Sequence, residues 1–378
     1  MGITMRLADM LVYSDIQQLN LIADSYQCDC KSNSKHELIQ HILTAFGRRE
    51  HFENMVSRLE LADLRLINAL MFDRKKAFSM EELTARASQS LFDEEKDKRK
   101  PRDKILRLKR LGFLFNGFSH QTKYLFSIPD DIKSRLSDVL KSHYASRLVH
   151  ADAPLVYREE IELLQEDVLR LLRWVQTSRI PLTAERFMYK RHIQQALSEL
   201  SVEEPLVAKG EWRFGYGRRM KEYPNRFSFL YDYCFYEHDL SEGEELVLTE
   251  KGEQRLLEGH QPGAAQLYRF YLKLYKHPIK NLEVIVHWIL QLSAQWVSVH
   301  SLKQILLPYV KPFYYDTPER IIDQRIIQML MHLGMLRIGE DPEYGMVIRR
   351  TAISQQIAEG VSIKEDEQIR MDPSSSMP

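Results

Sequence analysis

Apolar residues recur along this chain with the spacing of helices and, at a few places, with that of short strands. Near the end of the first third, Ile105, Leu108 and Leu111 fall at i, i+3 and i+6, on one face of a helix. Gly112 follows directly, at a position where a left-handed glycine ends many helices. The segments FLF and KYLFSI come next, with a polar turn between them. This stretch predicts a helix followed by a β-hairpin.

The same pattern returns more than two hundred residues later. LRLKRLGFLFNG at 106–117 and QMLMHLGMLRIG at 328–339 share leucine at the third, sixth and ninth positions and glycine at the seventh and twelfth. Two amphipathic segments precede each copy, DLRLINALMF and SMEELTARA in the first case and EVIVHWILQLSA and SVHSLKQIL in the second. Helix caps are predicted at Ser79, with Glu82 three positions later, and at Thr317, with Pro318 next to it. Three helices followed by a two-stranded wing are the order of a winged helix.

A middle unit of the same kind is predicted between the two copies. DVLRLLRWVQ and LTAERFMYKRHIQQALSEL are its helices, a basic and aromatic loop covers 213–226, and LVLTEKGEQRLLEG closes it. The predicted fold is therefore mainly α, with tandem winged-helix domains at 56–150, 155–260 and 264–360. Residues 361–378 lack apolar periodicity and are predicted to form a disordered tail.

The first 55 residues follow a different plan. Two helical segments flank an extended QCDCKSN stretch, an arrangement that resembles the SAP and Rho N-terminal class of small nucleic-acid-binding motifs. The alternative is that this SAP-like element is a helical cap that only packs on its neighbour.

Composition narrows the class of protein. The chain has 378 residues, with 53 basic and 53 acidic side chains, so its total charge indicates no partner. Three cysteines do not make a disulfide scaffold. No apolar signal-peptide core follows the first residue, and no apolar run is long enough to span a membrane. We expect a cytoplasmic protein with no membrane partner.

The sequence predicts neither a metal site nor an enzyme. Cys28, Cys30, His36 and His41 lie close in sequence, but the cysteine spacing is short for zinc, and the two histidines are about 140° apart around a helix. None of the fifteen glycines is followed by Lys, Ser or Thr, which excludes a Walker-type phosphate loop. Acidic runs such as REEIELLQED have the composition of a solvated helix face. We expect no metal, no cofactor, no small-molecule substrate and no catalytic residue.

Charge is distributed unevenly. Between 96 and 110 there are nine basic and two acidic residues, and the loop at 213–226 has five against one. Local phosphate neutralisation, not total charge, determines affinity for DNA. We therefore predict nucleic-acid contacts from the first and middle units, with a solvated surface as the alternative for each run. The predicted contacts are Lys98, Arg99, Lys100, Arg102, Arg107, Arg110, Arg186, Lys190, Arg191, Gln194, Arg213, Arg218 and Arg219.

The last unit differs from the other two. Its third helix carries few cations, and its wing contains Glu340, Asp341 and Glu343. We predict a protein-docking face there, formed by Arg320, Gln324, Gln328 and Met331. Two hypotheses follow, a DNA-binding accessory protein and an interaction scaffold or transcription-associated regulator that binds no nucleic acid.

A family resemblance favours the first hypothesis. RIPLTAERFMYKR at 179–191 and LVLTEKGEQRLLEG at 246–259 resemble elements of bacterial helicase-associated proteins, which are similar to the N-terminal region of XPB-type DNA-repair helicases. The SKHELIQHIL segment resembles their opening helices. The resemblance implies a non-catalytic accessory role beside a separate helicase or repair assembly.

Overall fold

The computed structural model describes residues 5–26, 34–73, 75–92, 100–208, 210 and 212–371. The chain divides into two compact units, Met1–Arg147 and Leu148–Pro378. Both are mainly helical, and the described strands are short and pair antiparallel. None of the described helices has the length and apolar character needed to cross a membrane. The finer division into five segments stays a prediction.

Unit 1 consists of eight described helices around a small sheet. The helices are α1 Leu7–Tyr13, α2 Ile16–Ser25, α3 Lys35–Gly47, α4 Arg49–Ser57, α5 Leu61–Met71, α6 Met80–Ser90, α7 Pro101–Arg110 and α8 Asp130–Ala145. The strands are β1 Phe78–Ser79, β2 Phe115–Asn116 and β3 Leu125–Ser127, in the spatial order β1-β3-β2.

Unit 2 is larger and has two sheets. Its helices are α9 Leu163–Thr177, α10 Lys190–Glu199, α11 Asn225–Tyr236, α12 Glu250–Glu258, α13 Ala264–Tyr275, α14 Leu282–Leu292, α15 Val299–Leu306, α16 at 318–332 and α17 Ser354–Gly360. Helix α16 is π-helical over Ile321–Ile327 and α-helical at both ends. The strands are β4 Tyr157–Arg158, β5 Leu240–Glu242, β6 Leu246–Leu248, β7 Val297–Ser298, β8 Leu336–Asp341 and β9 Gly345–Arg350. They form the sheets β4-β8-β9-β7 and β5-β6.

The two copies of the twelve-residue repeat occupy the same place in the same order of elements. The first follows α5, β1 and α6, and it forms the end of α7 and the start of the hairpin β2–β3. The second follows α14, β7 and α15, and it forms the end of α16 and the start of the hairpin β8–β9. Gly112 and Gly334 end the two helices with φ values of 70° and 71°. Only glycine adopts this backbone without strain, which is why both copies keep it.

The predicted helix caps are confirmed. Ser79 accepts a hydrogen bond from the backbone of Glu82, whose carboxylate accepts one in return from the Ser79 backbone. Thr317 accepts from the backbone of Arg320, with Pro318 at the first helical position. These side chains satisfy amide groups that have no partner within the helix.

The middle region departs from the prediction in two places. Residues 180–189 are not helical: Pro181 and Leu182 form bridges to Glu245 and Met188, and α10 begins only at Lys190. A further helix, α11, begins inside what was predicted to be a loop. The segment 180–182 lies beside β6, so this region also has three helices and three short extended segments.

The first and last described segments of the chain pack against their neighbours. Ile22 and Phe46, from the N-terminal helices, lie against Gly112 of unit 1. At the other end, Ile363 is buried and the backbone of Ile369 donates to Lys273. The expectation of a disordered tail is therefore corrected for 361–371, and residues 372–378 lie outside the described residues.

Candidate nucleic-acid interface

Helix α7 of unit 1 has a buried face and an open face. Ile105 and Leu108 are buried in the core, as their spacing predicted. Arg102, Leu106 and Arg110 recur every four residues and are exposed on the other side. Lys100, at the N-cap position, is exposed as well. Helix spacing alone therefore creates an open basic stripe.

The side chains of the three cations on this open face form no ion pair with any described residue. The side chains of Lys100, Arg102 and Arg110 have no ion-pair or hydrogen-bond partner among the residues that the structure describes. The neighbouring predicted residues Lys98 and Arg99 lie outside the described residues. Three exposed cations within eleven residues form a surface that can neutralise phosphate charge.

Arg107, on the flank of α7, is already engaged. Its guanidinium lies 3.2 Å from Glu60 and 3.1 Å from Asp63, and it donates to the carbonyl of Arg58. Lys104, one turn earlier, is buried and contacts the same two carboxylates at 2.5 and 3.0 Å. The sequence placed Arg107 beside Arg110 as a groove contact, whereas the structure places it in an ion-pair cluster at the start of α5.

The hairpin of unit 1 adds aromatic and basic groups to the surface. Tyr124 is 71% exposed, and the ammonium of Lys123 lies 4.9 Å from its ring centroid. Phe118, in the turn, stacks on Tyr13 of α1 with ring centroids 4.3 Å apart. The N-terminal helices thus support the hairpin, which leaves Lys123 and Tyr124 in solvent.

The basic helical face predicted for the middle region is formed only in part. Arg186 precedes α10, adopts a φ of 64°, and donates to the carbonyl of Gly243. It does not share a helical face with Lys190 and Gln194, which corrects the prediction, because the bridged segment before α10 cannot be helical. Lys190, Arg191 and Gln194 are exposed on α10, and Arg191 donates to the ring of His192.

The basic loop at 213–226 is folded inward. Arg213 is 9% exposed and donates to the carbonyls of Met220 and Tyr223 and to the side chain of Asn225. Arg219 is 7% exposed and contacts Glu242 at 2.6 Å. The prediction that Arg213 and Arg219 contact phosphate is therefore wrong. Arg213 is held by carbonyls from another part of the loop, and Arg219 by the carboxylate of Glu242 on β5.

Arg218 shares the same carboxylate. It forms two hydrogen bonds to Glu242, at 3.1 and 3.0 Å, and Tyr231 donates to Glu242 at 2.7 Å. Burial would raise the pKa of Glu242, but these hydrogen bonds from Arg218, Arg219 and Tyr231 outweigh it and lower that pKa. The cluster fixes the loop against α11 and β5.

The predicted docking residues of α16 separate into two groups. Arg320, Gln324 and Gln328 line one cleft of unit 2, and Arg320 donates to Gln324 at 3.1 Å. Met331 is 4% exposed and belongs to the core, which corrects its assignment to the docking face. Ile327, four positions earlier, is buried as well, so the core of unit 2 covers this side of the helix.

Comparison with known proteins identifies no relative of this chain. No protein-family model, curated protein or solved structure matches this chain. The resemblance to helicase-associated proteins therefore stays a prediction from short motifs.

Sequence reasoning missed a buried charge cluster in unit 2. Arg226, fully buried, lies 3.2 Å from Glu160 and 2.6 Å from Asp167, and His332 lies 2.8 Å from Glu160. Burial would raise the pKa of Glu160, but His332 and the two arginines Arg226 and Arg158 lower it to about 2. The two acids had been assigned to a solvated helix face. Asp167 lies three positions after Leu164 and four before Leu171, which was the available signal that it faces inward.

No group of three or more histidine, cysteine, aspartate or glutamate side chains is arranged to hold a metal ion in the part of the chain that the structure describes. Cys28 and Cys30 lie outside that part, whereas Ser34 caps α3, the helix that carries His36 and His41.

Proposed function

We propose that this chain is a non-catalytic accessory protein that binds DNA through unit 1 and presents unit 2 as an interaction scaffold. The observation that carries the proposal is the open face of α7, with Lys100, Arg102 and Arg110 exposed beside one another. In a winged helix, the helix before the hairpin enters the major groove, and neighbouring cations hold the phosphates.

The order of elements supports the winged-helix assignment on which this proposal depends. In unit 1, helix, strand, two helices and two strands follow one another, and the first strand pairs with the last. The same order and pairing hold for α14 to β9 in unit 2. We assign both to the winged-helix class on this basis.

The corresponding helices of unit 2 favour a scaffold. Helix α11 holds the third-helix position of the middle region, and residues Arg226–Cys234 are buried along it. Such a helix has no face to offer to a groove. Exposed Glu340, near the end of β8, and Glu343, in the turn that follows, repel phosphate.

The resemblance to helicase-associated proteins supplies the partner in this proposal. We infer that unit 2 contacts a separate helicase or another member of a repair assembly. A pull-down from lysate with the full chain, with and without nuclease, tests this part: a protein retained after nuclease treatment supports it, and loss of every retained protein on nuclease treatment contradicts it.

DNA binding is tested by fluorescence anisotropy with labelled duplex and single-stranded DNA at low salt. The wild type is expected to bind, and the triple variant Lys100→Ala, Arg102→Ala, Arg110→Ala to bind more weakly. The matched control Lys141→Ala, Arg147→Ala, Arg173→Ala removes three exposed cations elsewhere and is expected to bind like the wild type. Absence of binding by the wild type leaves only the scaffold part of the proposal.

A further inference from the structure

Unit 2 contains a cleft of about 360 Å³ that plays no part in the proposed DNA contacts. Its polar wall includes Arg320, Gln324 and Gln328, which recur every four residues on α16. Its apolar wall consists of residues 205–208, with the side chains of proline, leucine, valine and alanine. Sites for small molecules have volumes of roughly 300–1,000 Å³ and combine apolar walls with a few placed polar groups, so this cleft lies at the small end of that class.

Three guanidinium groups line the cleft, from Arg158, Arg213 and Arg320. The side chain of Arg213 is held by the carbonyls of Met220 and Tyr223, so its position is fixed before any ligand arrives. A guanidinium has five N–H donors in a rigid plane and suits carboxylate and phosphate oxygens. A fixed arginine loses little side-chain entropy when it binds such a group.

Three of the carboxylates near these arginines have other cationic or amide partners, and Glu203, which also lines the cleft, is exposed. Glu160, which contacts Arg158, also contacts the buried Arg226 at 3.2 Å. Asp316, which lies 3.4 Å from Arg320, also contacts the buried Arg325 at 2.8 Å. Glu204 accepts hydrogen bonds from two backbone amides at the start of α11. None of the three acids is therefore dedicated to neutralising an arginine of the cleft.

His332 supplies a second, independent observation. It lines the cleft and is 1% exposed. Its Nδ1 lies 2.8 Å from Glu160, while its Nε2 is buried and has no hydrogen-bond partner among the residues that the structure describes. Buried polar atoms in folded proteins nearly always have a partner, so an unpaired ring nitrogen in the wall of a cleft indicates a group still to be supplied.

We propose that this cleft binds a small molecule that carries a carboxylate or phosphate group together with an apolar portion. The arginines bind the anionic group of the ligand. The amides of Gln324 and Gln328 bind its polar substituents, and residues 205–208 cover its apolar portion. Since this site lies on unit 2, the proposal stands apart from DNA binding by unit 1.

Isothermal titration calorimetry with the full chain tests the proposal. The probes are inorganic phosphate, adenosine 5′-monophosphate, acetate and phenylacetate, so that each anionic group is offered with and without an apolar portion. At least one of the two larger probes is expected to bind saturably, at least ten-fold more tightly than its small counterpart. Which of the pair binds identifies phosphate or carboxylate as the preferred group.

Two variants locate the binding. Arg320→Gln removes a cation from the polar wall, and Ala208→Trp fills the apolar side, where Ala208 is exposed and its replacement leaves the charges intact. Each is expected to weaken the preferred probe at least ten-fold, while Arg173→Gln, an exposed arginine outside the cleft, leaves it unchanged. Thermal unfolding of each variant confirms that it is folded. Absence of saturable binding by all four probes, equal binding with and without the apolar portion, or binding that neither cleft variant weakens would overturn the proposal.

Discussion

Helices α7 and α16 each end in one copy of the twelve-residue repeat, yet their outer faces differ. On α7, Arg102 and Arg110 are exposed and the N-cap Lys100 lies beside them. On α16, Arg320 contacts Gln324 and Asp316, and the face lines a cleft. The shared leucines and glycines maintain the core and the turn, whereas residues outside these shared positions determine which surface is open. A repeated fold signal therefore does not imply a repeated function.

The largest expected difference between the two units is the loss of stability when a buried cation is removed. In unit 2, Arg226→Met leaves Glu160 and Asp167 without their buried cation, and we expect the free energy of unfolding to fall by about 3–5 kcal/mol. In unit 1, Lys104→Met costs less, because Arg107 still contacts Glu60 and Asp63. All four tryptophans lie in unit 2, so urea unfolding followed by tryptophan fluorescence reports that unit, and circular dichroism reports both. Equal losses in the two variants would contradict the comparison.

Helix α11, unlike α7, buries an acid. Burial raises the pKa of Asp232 from its ordinary value of 3.8 to about 7, although Arg218 and Arg219 act in the opposite direction. Between these values the folded state keeps a proton that the unfolded state has lost, so the free energy of unfolding falls as the pH rises from about 4 to 7 and then levels off. About three pKa units correspond to at most about 4 kcal/mol.

The substitution Asp232→Asn removes the dependence of stability on pH that this carboxyl group causes. The variant is expected to gain stability over the wild type as the pH rises, with the difference complete above pH 7 or so. Urea unfolding at several pH values, followed by tryptophan fluorescence, measures the difference at each pH. Asp239, whose pKa burial raises to about 6, is present in both proteins and cancels in this comparison. A difference that does not change with pH would show that Asp232 is ionised in the folded state throughout.

Substitution of either matched glycine of the repeat is expected to have a smaller effect on stability. A left-handed conformation costs a residue with a side chain roughly 1–2 kcal/mol, so Gly112→Ala and Gly334→Ala should each lose about that much. Gly334→Ala should lose more, since its new methyl group meets the backbone of Ile161 at 3.1 Å. At Gly112 the nearest atoms belong to the side chains of Phe46 and Ile22, which can move. Urea unfolding measures the free energy of unfolding of both variants. A larger loss of that free energy in Gly112→Ala than in Gly334→Ala would contradict this account.

Much of the fold was predictable because it depends on local rules. Helix caps at Ser79 and Thr317 and the turns at Gly112 and Gly334 each require particular residues within a few positions. Helix α11 was missed because it is buried on nearly every side, and a helix of that kind has no polar face to mark its period. The segment before α10 was misassigned because its bridge to Glu245 joins residues more than sixty positions apart.

The candidate site was predictable only in part, for the same reason. Composition indicated basic stretches at 96–110 and 213–226, but not which of them stays open. Arg219 is buried because Glu242 and Tyr231 lie beside it in the folded chain, although the sequence separates them. Arg110 stays open because no described acid reaches it. Such pairing depends on tertiary contacts, which periodicity does not encode.

The salt dependence of DNA binding tests the central claim most directly. For the wild type, the triple variant of Lys100, Arg102 and Arg110 and the matched control of Lys141, Arg147 and Arg173, the logarithm of affinity is measured against the logarithm of salt concentration. If the three cations of α7 contact phosphates, the magnitude of the slope falls by about 2–3 in the triple variant and stays unchanged in the control. An unchanged slope in the triple variant, or an equal fall in both variants, would contradict the claim that α7 is the DNA-binding face.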